Sequence, residues 1–477
     1  MASSVLKKVF SSDGNRRTMT ISFWMKRTVI ELLEHALMGT GSDGNVNSSI
    51  RFEANGTLKI FDYNGQAGQW IVQTQRKFLD ATSWYHFVFV LDSTQSTDSE
   101  RVRIYDNGVR EPVNTLSSPT WPNQNTDFNW NSAAQSWAIG CQRYGGNNTK
   151  FFNGYLAHIN VIDGSVALPA VFGEADSTTG EWKPKLNPTV TYGSQGFFLK
   201  FNDPSALGDD SSGNNHDFAI TGNFRQSYDT PNNNFCTLDD LQAYQTSTDV
   251  SRTTYAGTAY LGTGSTARGI PGTQMMSAGK WYAEFKPESS STGTKHVTIS
   301  IVKNGTYASS FYRTTGDAAI PGNSTSSNGC EGISYQPMMG TPKLLDAGGG
   351  GTTNYGVQAS ANDIIMMAVD LSAATSKIWF GKNGTWFNAP GTSNVGVPHT
   401  GANPGLSFAK GDDYWGPHVT SSNDGADKNM FCNFGNGYFG ATAVSSGNAD
   451  DNGVGIFEYD VPAGFYAICT KNIKSYG

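Results

Sequence analysis

Apolar and polar residues alternate along several short stretches of this chain, and the alternation predicts β-strands. In "TMTISFWMK" (residues 18–26), Met19, Ile21, Phe23 and Met25 fall on one face and mostly polar residues fall on the other. A period of two is typical of a strand with one buried face. By contrast, "SWYHFVFVLD" (83–92) is apolar on both faces, as expected for a central strand of a two-layer sandwich.

Two Asn-Gly dipeptides mark hairpin turns that follow the same plan in the two halves of the chain. A strand ending at Asp92 precedes Asn107-Gly108, and a strand ending at Asp370 precedes Asn383-Gly384. Asn-Gly between alternating segments is a strong signal of a tight β-hairpin. We therefore expect both halves to be antiparallel sandwiches of one design.

The length and one polar stretch predict the domain boundaries. A chain of 477 residues exceeds one ordinary core, so two domains are expected. The polar stretch "RQSYDTPNNNFCTLDD" lies between the two sets of strands and predicts a linker over residues 226–244. The fold class is thus all-β, with sandwiches over 1–225 and 245–477. A helix is predicted for "VIELLEHALMG" (29–39), where "HALMG" fits a strand equally well.

Composition and charge exclude several classes of protein. Aromatic residues make up 12% of the chain and argue against disorder, because they supply large buried areas. The net charge is −7 without a basic stripe, so no nucleic-acid partner is expected. The apolar run "IIMMAV" is far shorter than the roughly 18 residues that span a bilayer, and no signal-peptide core is present. We expect synthesis in a reducing cytoplasm without membrane insertion.

The cysteines and histidines form no recognisable metal or catalytic motif. The seven histidines include no H-x-H or H-E-x-x-H pair, and no G-x-S-x-G elbow or phosphate-binding loop occurs. The five cysteines include no C-x-x-C pair, which predicts buried free thiols rather than disulfides or zinc ligands. These cysteines are Cys141, Cys236, Cys330, Cys432 and Cys469.

Several strand motifs resemble known β-sandwich families. "TISFWMK", "WYHFVFVLDS" with "RVRIYDNGV", and "GYLAHINVIDGSVALPAVFG" resemble the laminin G-like, concanavalin A-type jelly roll over residues 1–225. "GKWYAEF", "DIIMMAVDLSAATSKIWFGKNGTWF" and "NPGLSFAKG" resemble a SPRY domain, within the predicted domain 245–477 and followed by a C-terminal extension. The resemblance implies two tandem concanavalin A-like sandwiches.

Other segments are similar to structural proteins of tailed, particularly marine, bacteriophages. They are "FGEADSTTGEWKPK", "GFFLKFNDPSALGDDSSGNNHDF", "DTPNNNF" and "NFGNGYF" with "VPAGFYAICTKNI". This resemblance implies a virion surface protein made in the host cytoplasm, with other virion proteins as partners and a homo-oligomeric state. It leaves open a tail fibre or receptor-binding component that recognises host glycan, or a capsid decoration protein that acts by protein packing. The absence of heptads favours a compact protein or a short fibre.

A polysaccharide-degrading enzyme is the least favoured interpretation. The related glucanases carry three carboxylates in an E-x-D-x-x-E or E-x-D-x-E strand motif, where alternation places them on one face. Here Glu174 and Asp176 fit, but Ser177 to Thr179 occupy the positions needed for the third carboxylate. The segment lies between two glycines, where a turn is expected. We therefore predict that the protein is not an enzyme.

The favoured glycan-binding candidate is the loop "KGDDYWGPHVTSSNDG". Aromatic rings stack on the apolar face of a sugar, and carboxylates or amides bind its hydroxyl groups. The alternative is that the aromatic residues of this loop pack on their own sandwich. "GCQRYGGNNTKFF" is a weaker candidate, around Tyr144 and Asn147. The candidate residues of the favoured loop are Asp412, Asp413, Tyr414, Trp415 and His418.

Two acidic loops raise the question of calcium. Asn448, Asp450 and Asn452 have the spacing of the start of an EF-hand loop, but Glu458 comes one residue early and no helices flank the loop. Asp209, Asp210 and Asn214 surround Gly213 in a similar stretch. Asp and Asn cap turns with their own side chains, so we expect structural turns, with a calcium ion as the alternative. No other cofactor is indicated.

Overall fold

The protein forms two compact units, residues 1–226 and 227–477. The structure, a computed structural model, describes residues 4–30, 33–43, 46–63, 70–115, 121–239, 241, 244–245, 253–262, 268–288, 297–304, 332–346, 351–387, 395–421 and 428–477. Both units are all-β, as the alternation predicts. Within these residues, no helix has the length and apolar character needed to cross a membrane.

The first unit contains strands β1 to β18. Short 3-10 turns include Asp98–Glu100 and Pro169–Val171. The strands are β1 Val5–Val9, β2 Thr18–Arg27, β3 His35–Asp43, β4 Val46–Phe52, β5 Thr57–Tyr63, β6 Trp70–Lys77, β7 Tyr85–Asp92, β8 Val102–Asp106, β9 Val109–Arg110, β10 Val113–Thr115, β11 Ser136–Ile139, β12 Gln142–Tyr144, β13 Asn147–Thr149, β14 Gly154–Asp163, β15 Gly173–Ala175, β16 Trp182–Pro184, β17 Phe197–Leu199 and β18 Ala219–Thr221.

Two antiparallel sheets of the first unit enclose its core. One has eight described strands in the order β10-β6-β5-β4-β3-β11-β1-β18, and the other has six in the order β17-β14-β2-β7-β8-β9. Met19, Ile21, Phe23 and Met25 of β2 all point into this core, as their alternation predicts. Two hairpins, β12–β13 and β15–β16, lie outside the two sheets.

The outer face of the six-stranded sheet is buried as well. Residues after β14 cover it, and Phe172 forms a small second core with Val88, Val90 and Ile162. Thr20 of β2 is fully buried on this face and accepts a hydrogen bond from the backbone N–H of Ala167 at 3.0 Å. The prediction of a single buried face for β2 is therefore wrong, because a segment distant in sequence covers the polar side. The prediction that residues 83–92 are buried on both faces is confirmed for β7.

The second unit contains strands β19 to β36 and the short helix α1, Thr470–Tyr476. A 3-10 turn spans Pro398–Thr400. The strands are β19 Tyr244–Gln245, β20 Thr253–Thr254, β21 Ala259–Gly262, β22 Arg268–Pro271, β23 Lys280–Pro287, β24 Val297–Lys303, β25 Gly332–Gln336, β26 Lys343–Asp346, β27 Gly351–Asn354, β28 Ile365–Asp370, β29 Thr375–Lys382, β30 Thr385–Trp386, β31 Leu406–Ala409, β32 Trp415–Ser421, β33 Lys428–Asn433, β34 Tyr438–Phe439, β35 Thr442–Ala443 and β36 Tyr466–Ala467.

The second unit is also a sandwich. Seven described strands are ordered β19-β22-β32-β24-β25-β26-β27. The facing sheet has nine, β20-β21-β33-β23-β28-β29-β30 with β31 beside β29 and β36 beside β23. The C-terminal residues cover the outer face of this second sheet, where Phe457 and Phe465 pack with Tyr282 and Trp379. The C-terminal extension is therefore part of the folded unit.

Two predictions about local structure need correction. The predicted helix over residues 29–39 is wrong, because His35–Asp43 is strand β3, paired with both β4 and β11. The predicted linker over 226–244 extends too far, because Phe235, Cys236 and Leu238 are buried in the cores of the second unit. The polar residues around these three apolar side chains are the reason that the sequence pattern predicted a linker there. The four described cysteines are buried free thiols, as predicted, and Cys330 lies outside the described residues.

Candidate functional site

The favoured loop does not present two adjacent aromatic rings to solvent. Trp415 begins β32 and is only 5% exposed; its ring packs on Phe408 with ring centres 5.0 Å apart, and its Nε1 donates to the Lys410 carbonyl at 3.2 Å. His418, three residues along the same strand, is 1% exposed, and its Nδ1 lies 3.1 Å from Thr420 Oγ1. Burial lowers the pKa of His418 to about 3, so it is neutral. Neither residue is available to a glycan.

The rest of this loop remains at the surface. Tyr414 is 51% exposed, and Asp412 is also exposed. Asp413 forms an ion pair with Lys303 at 2.8 Å. The predicted set of five is thus divided, because β32 begins at Trp415: Trp415 and His418 belong to the buried strand, whereas Asp412, Asp413 and Tyr414 belong to the loop before it.

The predicted calcium loop is organised around the carboxylate of Asp450. Its Oδ1 accepts hydrogen bonds from the backbone N–H groups of Asn452 and Val454, both at 2.9 Å. Its Oδ2 accepts from the N–H of Ala467 at 3.0 Å and from Nδ2 of Asn472 at 2.8 Å. Four donors already satisfy this buried carboxylate, while Nδ2 of Asn448 donates to the Glu458 carbonyl. Among the described residues, no group of acidic, histidine or cysteine side chains has the arrangement of a metal site.

The acidic loop after β17 has the same construction. Asp210 accepts hydrogen bonds from the N–H of Phe198 at 2.8 Å, from the N–H and hydroxyl of Ser212, and from the N–H of His216. Nδ2 of Asn214 donates to the carbonyls of Gly193 and Gly196. Gly213 has a φ of +94°, a conformation that glycine adopts readily. The carboxylate of Asp210 therefore fastens the loop to β17 as a structural turn.

The carboxylates that resemble a glucanase motif lie at a hairpin turn. Asp176 follows β15, and its Oδ1 accepts from the N–H groups of Thr178 and Thr179. Its Oδ2 accepts from Lys183 Nζ at 2.7 Å, and this bond is the largest cause that lowers the pKa of Asp176. Glu174 is exposed beside Lys185. Both carboxylates are thus paired with lysines of the same hairpin region.

A buried serine–histidine contact occurs on the outer face of the six-stranded sheet. His86 Nε2 lies 2.9 Å from Ser22 Oγ, and Trp182 Nε1 lies 2.9 Å from His86 Nδ1. Since an indole N–H only donates, Nδ1 must be the acceptor and the ring proton resides on Nε2. The imidazole therefore donates to Ser22 and cannot take its proton. This geometry is that of a structural contact.

The hairpin β12–β13 of the first unit presents a different set of side chains. Tyr144 is 50% exposed and lies directly opposite Asn147 across the hairpin. The turn between them, Gly145–Gly146, has positive φ values of 57° and 76° at its two glycines. Arg143 Nη1 donates to Asn148 Oδ1 at 3.0 Å. One ring, two amides and a guanidinium are thus gathered within six residues.

The hairpin is fixed on the outer face of the eight-stranded sheet. Gly39 and Gly41 of β3 allow the close approach, because a Cβ atom on Gly41 would lie 2.9 Å from the Arg143 carbonyl oxygen. Gln142 Oε1 accepts from Arg51 Nη1 at 2.8 Å, and Gln142 Nε2 donates to Asn47. Arg51 is only 8% exposed on this face. The hairpin therefore packs closely on β3 and is tied to β4 by buried polar contacts.

Arg51 is the centre of an ion-pair network beside the hairpin. Its Nη2 lies 2.6 Å from Glu34 Oε1, and its Nε donates to Glu53 Oε1 at 2.8 Å. Lys59 also pairs with Glu53 at 2.8 Å, and Lys150 pairs with Glu34. These bonds lower the pKa of Glu53, against the opposing effect of its burial. The network fixes the guanidinium that holds Gln142.

One family model and several solved structures are similar to parts of this chain. A family model described as the "Concanavalin A-like lectin/glucanases superfamily" matches residues 7–170. Among solved structures, the chain is similar to domains LG4-5 of the mouse laminin alpha1 chain, with 9% identity over 87% of this chain and 79% of that chain and a TM-score of 0.28. It is also similar to the SPRY domain of human HERC1, with 15% identity over 41% of this chain and 96% of that chain and a TM-score of 0.25.

A third similar structure is the CBM40 domain of Ruminococcus gnavus IT-sialidase bound to alpha2,3 sialyllactose. It shows 12% identity over 31% of this chain and 86% of that chain, with a TM-score of 0.23. No curated protein sequence matches this chain. The family match and the two facing antiparallel sheets together give the first unit a concanavalin A-like jelly-roll fold.

In the sequence, Tyr144 and Asn147 formed the weaker of the two glycan-binding candidates, and the residues that hold their hairpin on the sheet were not identified. The alternating glycines Gly39 and Gly41 in "MGTGS" are a usable signal, because glycine within a strand often marks the close approach of another backbone. The pairing of Arg51 with Gln142 spans 91 residues and has no local signal.

Proposed function

We propose that this protein is a non-catalytic, glycan-binding protein and that the hairpin β12–β13 contacts the sugar. The observation that carries the proposal is the exposed ring of Tyr144 beside Asn147 on a hairpin that is tied to the sheet. A tyrosine ring stacks on the apolar face of a pyranose, and amides and guanidinium groups bind its hydroxyl groups.

The rigidity of the hairpin supports this choice of site. Arg51 and Gln142 hold the hairpin from beneath, and the antiparallel register of β12 with β13 keeps Tyr144 opposite Asn147. A site that is ordered before binding loses less conformational entropy when the ligand arrives. The Tyr414 loop of the second unit has an equally exposed ring, but its neighbouring aromatic residue belongs to the core.

The absence of catalysis is part of the proposal. Asp176 caps a turn, and His86 donates to Ser22 rather than accepting its proton. Neither group has the geometry of a general base or a nucleophile. We expect no hydrolysis of β-glucans or of other host polysaccharides when reducing ends are measured.

We further propose that the protein lies on the surface of a tailed bacteriophage particle, as a tail-fibre or receptor-binding component. The support is the resemblance of segments such as "GFFLKFNDPSALGDDSSGNNHDF" and "DTPNNNF" to phage structural proteins. Electron microscopy of particles with and without this protein tests the location. Density on the tail is the expected result, whereas density on the capsid would favour a decoration protein.

A pair of matched tyrosine substitutions tests the glycan site. Tyr144→Ala removes the exposed ring of the hairpin, and Tyr414→Ala removes a ring of equal exposure in the second unit. On a glycan array followed by calorimetry, we expect Tyr144→Ala to weaken binding by about 1–3 kcal/mol, the contribution of one stacked ring. Tyr414→Ala should bind like the wild type. The reverse result would move the site to the second unit, and no binding by the wild type would remove the proposal.

A further inference from the structure

Glu284 of β23 is a buried carboxylate that holds part of the C-terminal covering segment on its sheet. Its side chain is fully buried. Oε1 accepts hydrogen bonds from the backbone N–H of Tyr459 and from the hydroxyl of Tyr282, both at 2.9 Å. Oε2 accepts from the N–H of Glu458 at 2.9 Å and from Nδ2 of Asn433 at 3.2 Å. Both oxygens therefore join the strand to the covering segment.

The part of the covering segment that contacts this carboxylate lies outside the sheet. We call residues 456–460 the strap. Phe457 of the strap packs against the ring of Tyr282, with ring centres 4.9 Å apart, and the Ile456 carbonyl accepts from Nδ2 of Asn433. The strand pairs of β23 with β28 and β33 do not involve the strap. Its contacts can therefore open locally while the sandwich stays intact.

The lysines on the same face of β23 do not neutralise Glu284. Residues 280, 282, 284 and 286 share this face, because side chains alternate along a strand. Lys280 pairs with Asp370 at 3.3 Å, and Lys286 lies over the ring of Phe439. Within the part of the chain that the structure describes, no ion pair includes Glu284.

The neighbouring elements bring no free cation to this carboxylate either. On β29, Lys382 pairs with Asp363 at 3.4 Å, and Lys377 Nζ donates to the Gly401 carbonyl at 2.8 Å. The nearest side chain of β33 is the uncharged amide of Asn433. The titratable side chains of the strap are acids and a phenol, namely Glu458, Asp460 and Tyr459.

Burial and hydrogen bonding act on Glu284 in opposite directions. Burial without a cation favours the neutral acid, whereas four donors favour the charged carboxylate. Burial is the larger effect and raises the pKa of Glu284 from 4.5 to about 7. The closed structure has a place for the proton, because the hydroxyl of Tyr282 can accept a hydrogen bond as well as donate one.

We propose that Glu284 is a pH-dependent latch, which holds the strap closed when it carries a proton and lets the strap open when it is ionised. In the open state water reaches the carboxylate, and its pKa returns towards 4.5. The closed state therefore binds the proton more tightly. By linkage, closure is strongest below pH 4.5, weakens as the pH rises and levels off above pH 7. The latch is independent of the glycan-binding hairpin, which lies in the first unit.

Hydrogen–deuterium exchange of the full chain tests the latch. The amides of Glu458 and Tyr459 donate to Glu284, so their protection against exchange reports opening of the strap. After correction for the intrinsic effect of pH on exchange, we expect this protection to fall by about 30-fold between pH 5.5 and 8, as pKa values of 4.5 and about 7 require. Amides of β24, in the facing sheet, should keep their protection.

Two substitutions separate Glu284 from the other acids. Glu284→Gln keeps the shape of the side chain but cannot ionise, so the protection of the strap should not change with pH. Glu458→Gln is the matched control. Against the effect of partial burial, hydrogen bonds from Ser445 and Ser446 lower the pKa of Glu458, so this carboxylate stays ionised over the range. The control should keep the pH dependence of the wild type. An equal fall in Glu284→Gln, or constant or rising protection in the wild type, would overturn the proposal.

Infrared difference spectroscopy of the wild type gives an answer that needs no variant. Labelling only the glutamate side chains with carbon-13 separates Glu284 from the buried aspartates Asp62 and Asp106, whose pKa values burial also raises. We expect the band of a protonated glutamic acid at pH 6 and its loss by pH 8. A spectrum without this band at pH 6 would overturn the proposal.

Discussion

At the scale of single residues, His86 links the stability of the first unit to pH. Its ring is fully buried between Trp24 and Trp182, with ring centres 4.7 and 6.1 Å away. Burial, and to a smaller degree the charge of His158, lower the pKa of His86 to about 3. Protonation would also place a proton on Nδ1, where Trp182 donates. The folded state therefore requires the neutral ring.

The sign of the pH dependence follows from this shift. The unfolded histidine titrates near 6.5 and the folded one near 3, so its contribution is complete above pH 6.5 and is lost as the pH falls towards 3. Between pH 6.5 and 5, the free energy of unfolding therefore falls by roughly 2 kcal/mol because of His86. Urea unfolding of the wild type and of His86→Gln over this range measures it. The difference between the two proteins should shrink as the pH falls, and a constant difference would contradict the assignment.

Residue identity predicts local contacts better than distant ones. The carboxylate of Asp210 binds the N–H groups of Ser212 and His216, two and six residues further on, so its role in the turn could be predicted from "DDSSGN". Its bond to the N–H of Phe198, twelve residues earlier, has no local signal. Tyr414 and Trp415 are adjacent aromatic residues with opposite environments. Their difference depends on where β32 begins and on the core against which it packs, and neither is encoded in the loop itself.

At the scale of elements, the two Asn-Gly hairpins are built in the same way. Asn107 and Gly108 have φ values of 46° and 86°, and Asn383 and Gly384 have values of 49° and 83°. Oδ1 of Asn107 accepts from the N–H of His86 at 2.9 Å, and Oδ1 of Asn383 accepts from the N–H of Ile364 at 2.8 Å. The shared plan that the sequence predicted is therefore confirmed for these hairpins.

In each hairpin, the glycine of the turn also lies against an aromatic ring of the segment that covers the same sheet. A Cβ atom on Gly108 would lie 3.0 Å from the ring of Trp182, and one on Gly384 would lie 3.1 Å from the ring of Tyr459. The Asn-Gly signal predicted the turns, because turn conformation is local. It could not predict the contacts with the two rings, because Trp182 and Tyr459 lie 74 and 75 residues further along the chain than the two glycines.

Substituting these glycines separates turn strain from ring contact. Gly108→Ala and Gly384→Ala introduce both a strained positive φ and a collision with the ring. Gly213→Ala and Gly464→Ala introduce only the strained φ, because nothing lies within 4 Å of their Cβ positions. We expect the two controls to lose roughly 1–2 kcal/mol of unfolding free energy and the hairpin variants about 1–2 kcal/mol more. Equal losses in urea unfolding would show that the rings do not restrict the turn.

At the scale of the whole molecule, both units have a covering segment outside the sandwich. In the first unit, Phe172 and its neighbours cover β7 and β14. In the second unit, Phe457 and Phe465 cover β23, β28 and β29, and the buried Glu284 accepts from the backbone N–H groups of Glu458 and Tyr459, both at 2.9 Å. Each unit thus includes a covering segment outside its two sheets. A domain boundary based on the predicted strands alone would omit such residues.

The boundary of the second unit provides the last prediction. A fragment of residues 227–477 keeps Phe235, Cys236 and Leu238, which are at most 1% exposed, whereas residues 245–477 lack them. The shorter fragment also loses the hydrogen bond from the N–H of Cys236 to the Ile468 carbonyl at 2.9 Å. Burial of three apolar side chains contributes roughly 4–8 kcal/mol, which approaches the whole stability of a typical domain.

We therefore expect 227–477 to unfold cooperatively in a calorimetric scan and 245–477 to aggregate or to show no transition. Residues 1–226 serve as the control and should unfold like the first unit of the full chain. A shorter fragment with the melting temperature of the longer one would show that residues 227–244 are a linker after all, as their polar composition first indicated.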